Sequence, residues 1–316
     1  MKRVLVVGSG GRIGQWVVKD LKKHNYQIIT VSSQPSSGLG KGDKHVQVDW
    51  SDFNLRLEEE IDVVLHFAHQ TSAYIARKQV EKDVTTNLIS TIRLVESLRN
   101  LKSAPHFIYA GSLTEYGSGN NKILIPSQAS KPETFYDVSK IAVEKYLEQY
   151  FREGFFSNLT ILRIGNLYGF LENFAKPNRG FLDMAIRFAF NGEVVECYGD
   201  GNYLRDFIHI NDVGSAIEKF VALNPNKESE IYNLASGIGI FIGEALNVIG
   251  RELEAVGRQG IKIVFKDFPN WTYQLEKRNH VADISKTKKR IAWEPIVSLS
   301  DGVSMSIKYL LDKAVT

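Results

Sequence analysis

Apolar positions in the first half of the chain follow two alternating rhythms. Short runs are rich in β-branched residues and nearly apolar throughout: VLVVG (4–8), QIITVSS (27–33), HVQVDW (45–50), IDVVLHFA (61–68), HFIYAGS (106–112) and LTILRIGN (159–166). Strands buried on both faces read this way. Between them the apolar residues recur at helical spacing. Ile13, Val17 and Leu21 stand at i, i+4 and i+8, and Leu88, Ile92 and Val95 share a face of segment 84–100. Segment 138–151 reads as a further helix. The alternation predicts an α/β fold, a doubly wound parallel sheet covered by helices on both faces with right-handed crossovers.

After Gly169 the rhythm stops. Residues 170–204 are rich in Gly, Asn and aromatics without a strand–helix alternation. We expect a second, smaller lobe from about 170–204 and 238–316. Residues 205–237 are expected to rejoin the first lobe (1–169), with EIYNLAS (230–236) as an added strand. The Ser/Gly-rich stretch 32–44 reads as a mobile loop.

Composition removes several classes. Of 316 residues 43% are hydrophobic and 24% charged, and the net charge is +3, too mild for a nucleic-acid binder. The most basic run, KTKKR (286–290), reads as a solvated helix face. The single cysteine, Cys197, rules out an intrachain disulfide, a multi-cysteine zinc site and a paired-cysteine redox motif. The N-terminal apolar run ends at Gly8, too short for a signal peptide, and no stretch approaches the ~20 apolar residues of a membrane span. These features point to a cytosolic protein.

GSGGRIG (8–14) leaves the first strand and opens the first helix, with Gly8, Gly11 and Gly14 spaced G-x-x-G-x-x-G. A tight turn and close backbone approach require residues without Cβ, and the helix start offers N–H groups to a pyrophosphate. Dinucleotide binding follows. An acid ending the second strand would grip the ribose of NAD; here Ser32 and Ser33 stand there. With Arg12 in the glycine loop and Lys41 and Lys44 nearby, the pattern slightly favours NADP over NAD. Asp49, ending the third strand, is placed to approach the adenine.

Tyr136 and Lys140 lie i and i+4 on one helix face. A nearby ammonium and an oxidised nicotinamide would both favour the phenolate of a group whose pKa is ordinarily about 10. Lys140 would also hold the nicotinamide ribose, and Ser112, at a strand end, would orient the reacting oxygen. The same spacing recurs at Tyr74/Lys78, Tyr273/Lys277 and Tyr309/Lys313, which read as surface positions. Only Tyr136/Lys140 follows a strand ending in serine.

With these residues in place the sequence resembles the extended short-chain dehydrogenase/reductases, specifically the nucleotide-sugar epimerase/dehydratase family. The likeness runs through GSGGRIG, HFA (66–68), TTNLIST (85–91), GSLTEYG (111–117), LRIGNLYG (162–169), GDGNYLRDFIHINDV (199–213), NLASG (233–237), ADISK (282–286) and AWEP (292–295). It implies catalysis by Ser112, Tyr136 and Lys140. It extends the dinucleotide cradle to Ile13, Trp50, Phe67, Ala68, Asn87 and Ile164. Asn166 and Arg205 are implied to contact the diphosphate of a nucleotide sugar, with Thr114 beside the sugar. It also implies a homodimer in which the helices at 84–100 and 138–151 pair across a two-fold axis.

Departures narrow the chemistry. Family 4,6-dehydratases carry Asp-Glu after the active hydroxyl residue; here Leu113 and Thr114 stand there, with Glu115 out of register. Members that epimerise at C3 and C5 carry a cysteine where this chain has Thr114. Chemistry at one carbon remains, a 4-ketoreductase, slightly favoured, or a 4-epimerase. Phe241 replaces a usual helix-capping hydroxyl. The alternatives are a non-catalytic cofactor-sensing or RNA-binding protein of this fold, or a reductase of a non-sugar ketone, which would need no diphosphate clamp.

Overall fold

The computed structural model describes residues 1–35, 39–40, 42–50, 59–119, 123–169 and 180–315. The chain opens with β1 (Lys2–Val7), α1 (Arg12–Leu21), β2 (Tyr26–Ser32), β3 (Lys44–Gln47) and β4 (Val63–His66). Helices α2 (Ala73–Lys78), α3 (Val80–Val84) and α4 (Ser90–Ser97) follow, a π-helical turn, Thr85–Ile89, joining the last two. Next come β5 (His106–Ser112), a 3-10 turn (Leu113–Tyr116), β6 (Ile123–Leu124), α5 (Phe135–Arg152), β7 (Asn158–Ile164) and β8 (Asn166–Tyr168). The second half supplies α6 (Phe181–Phe190), β9 (Val194–Tyr198), β10 (Leu204–His209), α7 (Ile210–Ala222), β11 (Ser229–Leu234), β12 (Gly239–Phe241) and α8 (Ile242–Ala255). It ends with β13 (Lys262–Lys266), a 3-10 turn (Gln274–Lys277), β14 (Val281–Ala282), α9 (Ser285–Ile291) and α10 (Leu299–Val315).

Seven strands make one parallel sheet in the order β11-β7-β5-β4-β1-β2-β3. The order reverses beside β1, where open α/β sheets form their binding crevice. Each apolar run of the first half becomes a strand of this sheet, and EIYNLAS supplies its edge. Alternate residues of one strand serve opposite faces. Val4 and Val6 pack on α1 and α7 through Val17, Leu21, Val213 and Phe220. Leu5 and Val7 face α4 and α5 through Leu94, Val95, Val143 and Leu147. Full burial of such side chains contributes about 1.5–3 kcal/mol each, so Leu94→Ala should cost about 2–5 kcal/mol.

A separate core joins α6, α8 and α10 with β9, around Ile186, Cys197, Leu246, Ile249, Val303 and Ile307. Two small sheets flank it: β12-β10-β8, and β13 parallel to β9. Helix α8 begins after Phe241 without a side-chain cap. Among the described residues no helix is long and apolar enough to cross a membrane.

Candidate active site

The glycine loop is shaped by contacts no Cβ would allow. Gly8 has φ +86°, and a Cβ there would lie 2.5 Å from the Ala68 nitrogen; one on Gly14 would lie 2.2 Å from the Gly8 carbonyl. Gly8 N–H donates to Val31 O at 2.8 Å, and Gly11 caps α1. Phe67 N–H donates to Val7 O at 2.8 Å, so Phe67 and Ala68 wall the loop. Arg12 and Ile13 open the helix, whose first-turn N–H groups have no intrahelical partner. This bare backbone cradle fits a dinucleotide pyrophosphate.

Arg12 and Lys44, expected around the adenosine ribose, are engaged elsewhere. Arg12 donates to Gly169 O at 2.6 Å and pairs with Asp183 of α6, crossing to the second lobe. Lys44 pairs with Glu59, and Lys41 lies outside the described residues. Ser32 donates to Gln34 O at 2.6 Å, and Ser33 is exposed. Strand β3 ends at Gln47, so Asp49 follows it, exposed, and Trp50 donates its indole N–H to Thr86 O at 2.8 Å.

Asn87 is fully buried in the π-helical turn. Its side chain accepts from Gln70 N–H at 2.9 Å and donates toward Asp83 and Ser139. It therefore fastens the loop after β4 to α5. The sequence predicted a plain helix over 84–100. The π turn instead breaks the ladder at Asn87, as such turns do at functional sites.

Ser112 ends β5, and Thr134 and Asp137 form a capping box that starts α5. Between them stands Tyr136, one helical turn before Lys140. The Ser112 hydroxyl lies beside the Tyr136 phenol. Burial raises the phenol above its ordinary pKa, the charges of Glu115, Asp137 and Asp83 add to this, and the Ser112 hydroxyl opposes it. Lys140, 1% exposed, donates to Ala110 O and sits 4.1 Å from the Tyr109 ring centroid. Burial lowers its pKa to about 8 against the raising pull of Glu115, Glu144 and Asp83. Ile164, at the end of β7, is buried beside this site.

Beneath the serine lies a closed ionic cluster. Glu115 accepts from Ser112 N–H at 2.6 Å and stands 3.4 Å from Arg163. Arg163 donates to both oxygens of Glu144, at 3.0 and 2.5 Å. All three are at most 2% exposed. Removing one member of such a buried set costs about 3–5 kcal/mol. Thr114 reaches toward the site with its hydroxyl 2.8 Å from Ser112 Oγ, and donates to Asp137 at 2.7 Å.

On the second-lobe side, Asn166 donates to Asp206 O at 3.0 Å and accepts from Arg278 at 3.3 Å. Arg205 turns inward onto the carbonyls of Glu276 and Arg278, each at 2.6 Å. It does not pair with Asp206, whose carboxylate accepts from the backbone N–H groups of Ser236, Gly237 and Ala282. Burial and the neighbouring Arg278 push the Arg205 pKa down to about 9. Burial also lowers Arg278, against Glu276 and Asp137. His280, 4% exposed with both ring nitrogens unpartnered, is held at about 4 by burial and by both arginines. Arg278 also interacts with Asp137, next to Tyr136, and a cation-rich edge of this kind suits a diphosphate.

Arg278, His280, Asp137 and the cluster of Glu115, Glu144 and Arg163 were not singled out from sequence as site residues. Only Asp137 left a signal, the spacing Thr134-x-x-Asp137 of a capping box.

A family model described as "NAD dependent epimerase/dehydratase family" matches residues 4–235. A putative UDP-glucose 4-epimerase of Methanocaldococcus jannaschii is 25% identical over 97% of this chain and 98% of its own. The dTDP-4-dehydro-6-deoxyglucose reductase of Escherichia coli is 23% identical, covering 96% of both chains. In fold the chain is similar to UDP-glucuronic acid 4-epimerase of Bacillus cereus in complex with UDP-glucuronic acid and NAD. That structure gives a TM-score of 0.85 at 22% identity, over 98% of this chain and 99% of that one.

Proposed function

We propose, for a chain that belongs to the NAD dependent epimerase/dehydratase family, hydride and proton transfer at C4 of a nucleotide-diphosphate sugar. The observation that carries this reading is the placement of Ser112 at the carboxyl end of β5, its hydroxyl near enough to the Tyr136 phenol to favour the phenolate, with Lys140 one turn on. Bound nicotinamide supplies or takes the hydride. Tyr136 gives or takes the proton on O4, Ser112 holds the same oxygen, and Lys140 holds the ribose. Asn166, Arg205 and Arg278 border the diphosphate, with His280 behind them, and Thr114 lies toward the sugar. The dinucleotide half comprises residues 1–169 and about 205–237; about 170–204 and 238–316 form the sugar half.

Reduction of a 4-ketone is slightly favoured over epimerisation. The buried phenol is held protonated, the state a donor to a carbonyl oxygen needs. The cofactor is NAD or NADP. No acid stands at Ser32 to repel a 2′-phosphate, but Arg12 and Lys44 are committed to carboxylates, which leaves the preference for NADP slight. The exposed apolar residues Val84, Ile89, Val138 and Tyr146 support a homodimer through the segments 84–100 and 138–151.

A nucleotide 4-keto sugar and reduced cofactor provide the test. A reductase consumes one equivalent of reduced nicotinamide per sugar. An epimerase interconverts the 4-hydroxyl sugars with no net change in absorbance. Neither change with any UDP-, GDP-, dTDP- or CDP-sugar would refute the reading.

A further inference from the structure

Four hydrogen-bonding groups stand in a row at the mouth of α5. The Ser112 hydroxyl lies near enough to the Tyr136 phenol to oppose the rise in its pKa. Ser112 Oγ lies 2.8 Å from Thr114 Oγ1. Thr114 donates to Asp137 Oδ1 at 2.7 Å, while Asp137 Oδ2 accepts from the Thr134 hydroxyl at 2.8 Å and its N–H at 3.2 Å. Asp137 is fully buried, so its carboxyl communicates with the site chiefly along this row.

Each hydroxyl has one proton, which gives the row a direction. With Asp137 ionised, Thr114 must point its proton at the carboxylate. Ser112 then points at Thr114, and its oxygen is left to accept from the Tyr136 phenol. With Asp137 protonated, the row reverses: Asp137 donates to Thr114, Thr114 to Ser112, and Ser112 toward Tyr136 and the reacting oxygen. One direction stabilises the phenol, the other the phenolate. The bland reading of Asp137 is a helix cap alone, but a cap uses only the oxygen facing Thr134.

We propose that Asp137 is a positioning residue at the far end of a proton relay, Asp137–Thr114–Ser112–Tyr136, which resupplies the proton Tyr136 gives to substrate. This rests on the reading of Tyr136 as the proton carrier. In reduction, the carbonyl carbon receives a hydride from the reduced nicotinamide cofactor. The carbonyl π pair moves onto oxygen, which takes the Tyr136 proton. The phenolate then takes the Ser112 proton, Ser112 takes that of Thr114, and Thr114 takes that of Asp137. The carboxylate left behind regains its proton back along the row, from water that enters the site once product leaves. Burial raises the Asp137 pKa, so the proton is available nearer neutrality than on a free aspartate. The charged or titratable groups facing Asp137 are Tyr136 on its own helix, Glu133 before it and Arg278 from the segment after the second 3-10 turn.

The test uses the full chain with Cζ-labelled tyrosine, free of ligand, with the Tyr136 resonance identified by its loss in Tyr136→Phe. Across the pH range in which Asp137 titrates, the Tyr136 signal should show a step that is absent in Asp137→Asn. Thr114→Val keeps both residues and the charge but cuts the row, and should remove most of the step; Thr114→Ser should restore it. Through-space charge alone would leave the step at full size in Thr114→Val, and that result, or no step in the parent chain, overturns the proposal. With a 4-keto sugar nucleotide, Thr114→Val should also lower kcat about tenfold or more and remove the limb of the pH profile shared with Asp137→Asn. Absence of turnover with an intact, Thr114-dependent step would instead refute the substrate reading and leave the relay standing.

Discussion

The ammonium of Lys140 stands 4.1 Å from the ring centroid of Tyr109 and donates to the carbonyl of Ala110, two residues before Ser112. It is therefore held from beneath β5, beside the buried carboxylates of Glu115 and Glu144. Its pKa of about 8 lies below the 10.5 of an exposed lysine. Between these values the unfolded chain binds more protons at this site, so stability rises with pH through that window. Below about 8 the penalty is constant. The parent chain should gain about 3 kcal/mol on Lys140→Met between pH 8 and 10.5. Urea unfolding of both proteins across that range measures the gap. A gap independent of pH would mean that Lys140 is charged as freely inside the fold as outside it.

Tyr136→Phe deletes one hydroxyl and little else. It should lower kcat by about 10²–10⁴ while leaving the dissociation constant for the dinucleotide nearly unchanged, since proton transfer and not binding is lost. Turnover within a few-fold of the parent would remove the phenol from the mechanism.

Arg278 and Arg205 should separate by readout. Arg278→Met removes a donor at the cleft edge and should raise KM for the sugar nucleotide about 10–100-fold with a smaller change in kcat, the loss of one charge-assisted bond. Arg205→Met frees the carbonyls of Glu276 and Arg278 and should lower Tm as well. Steady-state kinetics and thermal unfolding on the same preparations decide it. Equal KM effects without a Tm difference would show both guanidiniums contacting ligand directly.

Cofactor choice should respond at Ser32 and not at Arg12. Ser32→Asp supplies an acceptor for the ribose hydroxyls and repels a 2′-phosphate. It should move the ratio of kcat/KM toward NAD by about tenfold or more. Arg12→Met should leave that ratio within about fivefold, because its guanidinium already holds Asp183. A collapse of NADP use in Arg12→Met would show that the ion pair opens when the dinucleotide binds.

The strands of the large sheet were readable because burial on both faces leaves them almost no polar residues, as in Val4–Val7 and Val63–Leu65. The glycine loop was readable because Gly8 and Gly14 answer to local sterics. Other features depend on partners distant in sequence. The inward turn of Arg205 is dictated by carbonyls some seventy residues on. The π turn at Asn87 is set by bonds to Gln70 and Ser139. Helix α6 went unread because Phe181–Phe190 is apolar on most sides, with Leu182, Ala185, Ile186, Ala189 and Phe190 all buried. The resting place of the Lys140 ammonium, by Tyr109 and Ala110, was unreadable because i, i+4 spacing places two Cα atoms on one face but does not say where a long side chain ends.

The contact between Arg12 and Asp183 has a practical corollary for redesign. The residue that would be recruited to recognise an extra phosphate is the same one that ties Gly169 and α6 to the start of α1. Freeing it for a new cofactor would also slacken the far wall of the cleft, coupling two traits an engineer would want to vary apart. Position 32, whose side chain bonds Gln34 in its own turn, offers a change of dinucleotide without that trade-off.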